Sequence, residues 1–278
     1  MMFFKFTKIF LVFMFLISTS LYAQTTENVE IQGSVGKIKA IIHKPASSDN
    51  EKIPFVIICH GFSDSKNGKL IVPLANELQK NGFACIRFDF NGHGESDGEQ
   101  YNMTVVNEIE DAKRVYEYVS KLPYVGKIAM VGHSQGGVVT AMTSAQLGSD
   151  KICATALLAP AAVLRDNLLV GYVFGNTFDP LNPPEKFIIP HIPYTLGKNY
   201  IVSGQSLPIY ETARTYEGQT LIIHGKTDII VPYTYGKRFY DEIKHSHLKI
   251  IEDCNHAFSG HEAEVSALVT EYFKKELY

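Results

Sequence analysis

The sequence predicts an α/β fold: a mostly parallel, eight-stranded sheet with helices on both faces and a lid-like insertion. Three observations predict it. Short β-rich runs alternate with amphipathic stretches along most of the 278 residues. The runs from residue 53 onward are apolar almost throughout, the pattern of parallel strands buried on both faces. A glycine-flanked serine, Gly132-His133-Ser134-Gln135-Gly136, stands where one such run passes into a helical pattern.

Taken in order, the chain opens with Lys5 and Lys8, an apolar run from Ile9 to Ile17, the polar Ser18-Thr19-Ser20, and Leu21-Tyr22-Ala23 before Gln24. These are the three parts of a secretory signal peptide, expected over residues 1–23. The apolar run falls well short of the roughly 20 residues needed to cross a bilayer, so no permanent membrane anchor is expected. The mature chain, 24–278, is then exported, to the periplasm or the medium. Segments 28–33 and 37–43, joined by Ser34-Val35-Gly36, read as an antiparallel edge hairpin. Strands follow at Ile53–Cys59, Phe83–Phe90, Lys127–Val131, Ile152–Leu158, Thr220–His224 and His247–Glu252. Helices are expected at about 69–81, 105–121, 135–147, 233–244 and 261–276. In the second of these, Ile109, Ala112, Tyr116 and Val119 share a face, Thr104 suits the N-cap, and Glu108, Glu110 and Asp111 suit the positive helix start.

Residues 161–208 break the rhythm. A short link belongs there, yet the segment carries prolines at 180, 183, 184, 190, 193 and 208, and a long irregular insertion of this kind reads as a lid or binding loop. Its Tyr172, Phe174, Phe178, Phe187, Tyr194 and Tyr200 offer faces for an apolar or aromatic group, and some of them serve to anchor the insertion.

Composition narrows the function. With 45% hydrophobic and 20% charged residues and a net charge of −3, the chain is neither disordered, collagen-like nor a multi-span membrane protein. It has no run of Lys or Arg to track a phosphate backbone, so no nucleic acid is expected as partner. Gly92-His93-Gly94 followed by Gly98 misses the dinucleotide spacing by one residue, no metal motif occurs, and no cofactor or metal is implied. Cys59, Cys85, Cys153 and Cys254 lie mostly in apolar runs and are expected to be reduced.

The chemistry centres on Ser134. A G-x-S-x-G between strand and helix lifts a serine hydroxyl above the sheet, and the glycines are needed because a Cβ at either flank would meet neighbouring backbone. A serine is a weak nucleophile that needs a base, and the base needs an acid to fix its tautomer. Asp228, in the loop after the strand ending at His224, fits the acid. Asp241 and Glu242 fall within a helix. Of the histidines that follow, His245 and His247 stand at the N-terminal end of the last strand, and His261 opens the final helix. His256, in the loop leaving that strand, fits the base. The oxyanion donors expected are the backbone N–H groups of Gln135 and Phe62, the latter in His60-Gly61-Phe62; His60 itself reads as a structural hydrogen-bonding residue.

His60-Gly61-Phe62, the run from Arg87 to Gly98, Gly132–Gly137, Leu158-Ala159-Pro160, Leu207–Glu211 and His224–Asp228 together resemble the bacterial cinnamoyl and feruloyl esterases of the α/β-hydrolase superfamily. The resemblance spans nearly the whole mature chain. It implies a serine carboxylesterase for hydroxycinnamoyl esters (feruloyl, p-coumaroyl, caffeoyl), with a small-molecule or oligosaccharide ester as substrate and the insertion over the acyl group. A homodimer is compatible with it. By position it also implies that Asn167 and Tyr200 hold a phenolic hydroxyl at the far end of the pocket, with Phe174 where the family has a further polar residue. The amide of Asn167 accepts more weakly than the carboxylate common there. Two other readings stand beside it: a short-chain acyl or acetyl esterase or serine peptidase of the same fold, and a non-catalytic binding module.

Overall fold

The computed structural model describes residues 23–46, 52–190 and 192–278. All but the last residue of the expected export segment, 1–23, lies outside the described residues. Strands β1 (Thr25–Gln32) and β2 (Lys37–Lys44) form the antiparallel edge hairpin. Then follow β3 (Ile53–Cys59), α1 (Ile71–Lys80), β4 (Ala84–Phe88), α2 (Val105–Val119), β5 (Val125–His133), α3 (Gln135–Leu147) and β6 (Ala154–Leu158).

The insertion comes next, more ordered than its prolines suggested. It contains α4 (Val163–Leu169), a hairpin of β7 (Tyr172–Val173) and β8 (Asn176–Thr177), the antiparallel pair β9 (Lys186–Ile188) and β10 (Thr195–Gly197), and α5 (Lys198–Gln205). The chain closes with α6 (Ile209–Ala213), β11 (Gln219–Gly225), α7 (Tyr233–Glu242), β12 (Ser246–Ile251) and α8 (Glu262–Leu277).

The eight sheet strands lie in the order β1-β2-β4-β3-β5-β6-β11-β12, parallel from β4 onward. Alternation along β3 shows how both faces are covered: Phe55, Ile57 and Cys59 pack into the core shared with α2 and α3, while Val56 and Ile58 pack against α1 and α8. From β3 the chain steps to β4 on one side and returns to β5 on the other. That reversal opens a crevice at the carboxyl ends of β3 and β5, the place where open α/β sheets hold ligands.

Several boundaries differ from expectation for local reasons. Strand β5 runs on through Gly132 and His133 because these pair with Cys59 of β3 and Leu158 of β6. Strand β4 stops at Phe88, where Asp89 turns to accept from the Lys66 backbone N–H at 2.6 Å. Thr104 caps α2 as expected, its Oγ1 accepting from Asn107 N at 3.1 Å. Glu108 lies in the first turn of α2 as expected, and Asp111 stands beyond it. Both are buried, and Asp111 accepts from Ser34 N at 2.7 Å and Asn91 N at 2.8 Å, tying the β1–β2 turn to the loop after β4. Only Glu110 stays outside, paired with Arg114 at 2.9 Å.

The insertion is anchored by Phe178 edge-on to Phe187, ring centroids 5.1 Å apart, and by Gln205 Nε2, which donates to the Leu168 and Pro180 carbonyls. All four cysteines are free thiols. No helix among the described residues is long and apolar enough to cross a membrane.

Candidate active site

Ser134 sits between β5 and α3 with φ 56° and ψ −120°, a left-handed conformation that costs a non-glycine residue about 1–3 kcal/mol. Its backbone is held there from several sides. Ser134 N donates to Leu158 O at 2.8 Å, and Ser134 O accepts from Gly137 N and Ala161 N at 3.0 Å each. The flanking glycines are obligatory: a Cβ on Gly132 would collide with Gly136 O and Thr140 Oγ1, and one on Gly136 with His60 O. The tightness of the turn is what aims the serine side chain into the crevice.

Two other loops meet it there. His256, leaving β12, brings Nε2 to 2.9 Å from Ser134 Oγ and Nδ1 to 2.7 Å from Asp228 Oδ2. An ionised Asp228 can only accept, so Nδ1 carries the proton and Nε2 is free to accept the Ser134 hydroxyl proton. Asp228, in the loop after β11, is fixed in turn: Oδ1 accepts from Ile230 N at 2.9 Å and Val231 N at 2.8 Å. Burial by itself would raise this carboxyl, but hydrogen bonds from His224 and His256 and from the Val231 N–H outweigh it and hold Asp228 well below the usual carboxylate range.

Two supporting histidines were not singled out from sequence. His224, fully buried at the end of β11, lies with Nε2 3.2 Å from Asp228 Oδ2 and 2.8 Å from Val231 O. His133 donates from Nε2 to the His256 carbonyl at 2.9 Å and so pins the backbone of the base. Burial, with the neighbouring His256 ring, pushes His133 down to about 3, so it stays neutral. A third histidine, His60, bonds from Nδ1 to Gly61 O at 2.8 Å and accepts the Phe90 N–H on Nε2 at 3.2 Å. It fastens the loop after β3, the hydrogen-bonding role expected of it, and burial lowers it to about 4.

That loop brings Phe62 to the same crevice. The backbone N–H groups of Phe62 and Gln135 have no hydrogen-bond partner among the described residues, and Gln135 opens α3, where the helix dipole favours negative charge. The other histidines lie elsewhere: His247 in β12, His245 just ahead of it and 3.8 Å from Glu217, and His261 bonded to Glu264 at 2.9 Å.

A cavity of about 600 Å³ opens on Ser134 and Gln135. One wall is the insertion, with Val163, Leu164, Asn167, Leu168, Tyr172, Val173, Phe174, Ile189, Pro190, Ile192 and Tyr200; another is Ile229–Pro232, directly after Asp228. None of its described lining residues is charged. Phe174 stands at the tip of the β7–β8 hairpin with φ 43° and lies flat on Phe62, ring centroids 4.2 Å apart. Asn167 faces the cavity half-buried. Tyr200 lines the cavity with its ring, and its hydroxyl donates to Gln135 Oε1 at 2.7 Å. Gln135 Nε2 in turn lies 2.9 Å from both carboxyl oxygens of buried Glu108, a residue sequence reasoning had assigned to the helix start.

A nucleophile, base and acid on three loops above a parallel sheet define the class: a serine-hydrolase site on an α/β-hydrolase fold. Comparison with known proteins agrees. A family model described as serine aminopeptidase, S33, matches residues 50–183. The fold is similar to that of Est1E from Butyrivibrio proteoclasticus, solved with ferulic acid bound, with a TM-score of 0.85 at 31% identity over 89% of this chain and 98% of that one. The putative esterase YitV of Bacillus subtilis is 26% identical over 203 residues, 69% of this chain and 75% of YitV. An uncharacterized 31.7 kDa protein of Escherichia coli is 38% identical over 90 residues, and the match spans only 31% of its length. The chain belongs to the α/β-hydrolase superfamily.

Proposed function

We propose that this protein is a serine carboxylesterase that hydrolyses hydroxycinnamoyl esters through an acyl-enzyme. The observation that carries the reading is the cavity: aromatic and aliphatic side chains from the insertion, together with Phe62, enclose a space open to Ser134, and no charged side chain is among the described lining. Such a space favours a flat, neutral acyl group over a charged one. The likeness to Est1E, solved with ferulic acid bound, supports the same choice.

In the proposed reaction the Ser134 oxygen attacks the ester carbonyl while His256 Nε2 takes its proton. The Phe62 and Gln135 N–H groups receive the developing oxyanion, and Asp228 steadies the imidazolium. Collapse of the tetrahedral intermediate expels the alcohol, which takes the proton back from His256. Water, activated by the same histidine, then releases the acid. An aminopeptidase would need an acidic side chain to bind a substrate ammonium group, and the described lining supplies none. A short-chain acyl esterase is the second reading, favoured by Tyr200, whose hydroxyl proton is committed to Gln135 and not to a phenol. Export belongs to the same proposal and rests on the sequence alone, the basic, apolar and small-residue pattern of residues 1–23.

The test is intact-mass and peptide-mass analysis of protein quenched during turnover of methyl ferulate, with fluorophosphonate labelling alongside. A feruloyl adduct on the peptide containing Ser134 is the expected result. Absence of both acyl and phosphonyl adducts at Ser134 would leave a binding module.

A further inference from the structure

A buried chain of polar groups runs behind the oxyanion turn, and the reaction as written makes no use of it. Glu108 on α2, Gln135 at the start of α3 and Tyr200 on α5 come from three separate elements, all three nearly inaccessible to solvent. Tyr200 donates its hydroxyl to Gln135 Oε1 at 2.7 Å, and the Gln135 amide places Nε2 2.9 Å from each Glu108 oxygen. This orientation of the amide satisfies both of its ends: the oxygen meets a donor and the nitrogen meets an acceptor. The side chain of Gln135 is thus clamped from both sides, and its backbone N–H is one of the two proposed oxyanion donors. Because α5 closes the insertion, the clamp joins the roof of the cavity to the oxyanion turn.

We propose that Glu108 is a positioning residue that holds Gln135 in its oxyanion-donating orientation and, through Tyr200, locks that residue to the insertion. The inference rests on the esterase reading above.

The charge state of Glu108 decides whether this clamp helps or harms. The groups facing it are Asp111 on its own helix, Gln135 on α3, Cys59 on β3, Tyr200 on α5, Tyr194 ahead of β10, and His93 in the loop after β4, whose Nε2 lies 3.9 Å from Oε1. None is a lysine or arginine, and burial keeps His93 neutral, down to about 3. Burial pushes Glu108 up to about 8; the Gln135 hydrogen bond offsets this only in part, and the Asp111 charge adds to it. Burial thus favours the uncharged carboxylic acid in the clamp. Ionised, it would set a negative charge in a low-dielectric pocket behind the site where the oxyanion develops, opposing the transition state. Rate should then be lost as pH rises through the folded value of this group.

The experiment compares the wild-type full chain with Glu108→Gln, Glu108→Ala and Tyr200→Phe, measuring kcat and KM on methyl ferulate from about pH 6 to 10. Wild-type kcat/KM should fall about tenfold per pH unit above about 8. Glu108→Gln, a neutral mimic, should restore most of the neutral-pH kcat that Glu108→Ala loses, with about a tenfold gap between the two, and should lack the alkaline fall. Tyr200→Phe should lower kcat severalfold while keeping that fall. A wild-type profile flat to about pH 9.5, an unchanged alkaline limb in Glu108→Gln, or a wild-type kcat in Glu108→Ala would overturn the inference. If Glu108→Ala fails to fold, the comparison of wild type with Glu108→Gln still decides. Failure of the esterase reading looks different: no variant or wild type turns over the ester, and the same pH comparison is then made on the rate of fluorophosphonate labelling of Ser134.

Discussion

Replacing Asp228 by asparagine tests the charge-relay geometry at a single atom. Oδ1 accepts two backbone N–H groups, from Ile230 and Val231, and Oδ2 accepts from His256 Nδ1 at 2.7 Å with His224 Nε2 at 3.2 Å. An asparagine must keep its oxygen on the two backbone donors, because turning the amide round would aim its NH₂ at both of them. The NH₂ then faces His256 Nδ1, which can only accept. His256 is forced into the tautomer protonated at Nε2, the atom 2.9 Å from Ser134 Oγ, and can no longer take the serine proton. The expected loss is about 10⁴ in kcat, roughly 5 kcal/mol of transition-state stabilisation, with KM little changed. The assay is steady-state hydrolysis of methyl ferulate or p-nitrophenyl acetate, with Ser134→Ala as the blank. Activity within about tenfold of wild type would refute the reasoning, since no second base lies within reach of Ser134 among the described residues.

Gly136→Ala should abolish activity and destabilise the fold by several kcal/mol, because its Cβ would collide with the His60 and Cys59 carbonyls; a melting temperature within a few degrees of wild type would contradict this. His93 has an acid-side signature: its folded value lies below the usual 6.5, so the stability it contributes is fully present above about pH 6.5 and is lost as pH falls toward about 3. His93→Phe should therefore gain stability relative to wild type between pH 7 and about 4.5 by as much as a few kcal/mol, read from urea unfolding at the two pH values.

The sheet was legible because its buried strands are apolar almost throughout and its helices are amphipathic, and the elbow was legible because Ser134 stands at a strand–helix junction with glycines on both flanks. Chain order and loop position led to Asp228 and His256, and the structure brings both to Ser134. What the sequence concealed was direction. Glu108 suits the positive helix start and does lie in the first turn, but that reading says nothing of its burial. Yet Val105, Glu108, Ala112, Val115 and Val119 are spaced three and four apart on the buried stripe, so the periodicity itself placed Glu108 inside. Tyr200 was placed near the substrate by analogy, but which partner its hydroxyl chooses depends on the packing of α5 against the oxyanion turn, a tertiary fact without a local signal. His133, at the end of β5, reaches the His256 carbonyl 123 residues away in sequence, and His224, in β11, reaches Asp228 only 4 residues on, in the loop that follows.

The central claim is that Ser134 serves a cavity shaped for an aromatic acyl group. The most direct measurement is kcat/KM of the purified protein on methyl ferulate and methyl butyrate, which share a leaving group and differ only in the acyl part, with Ser134→Ala as control. The account predicts at least about a hundredfold preference for the ferulate and no turnover of either ester by the variant. Equal or greater efficiency on the butyrate would contradict it, leaving the triad with a small-acyl esterase.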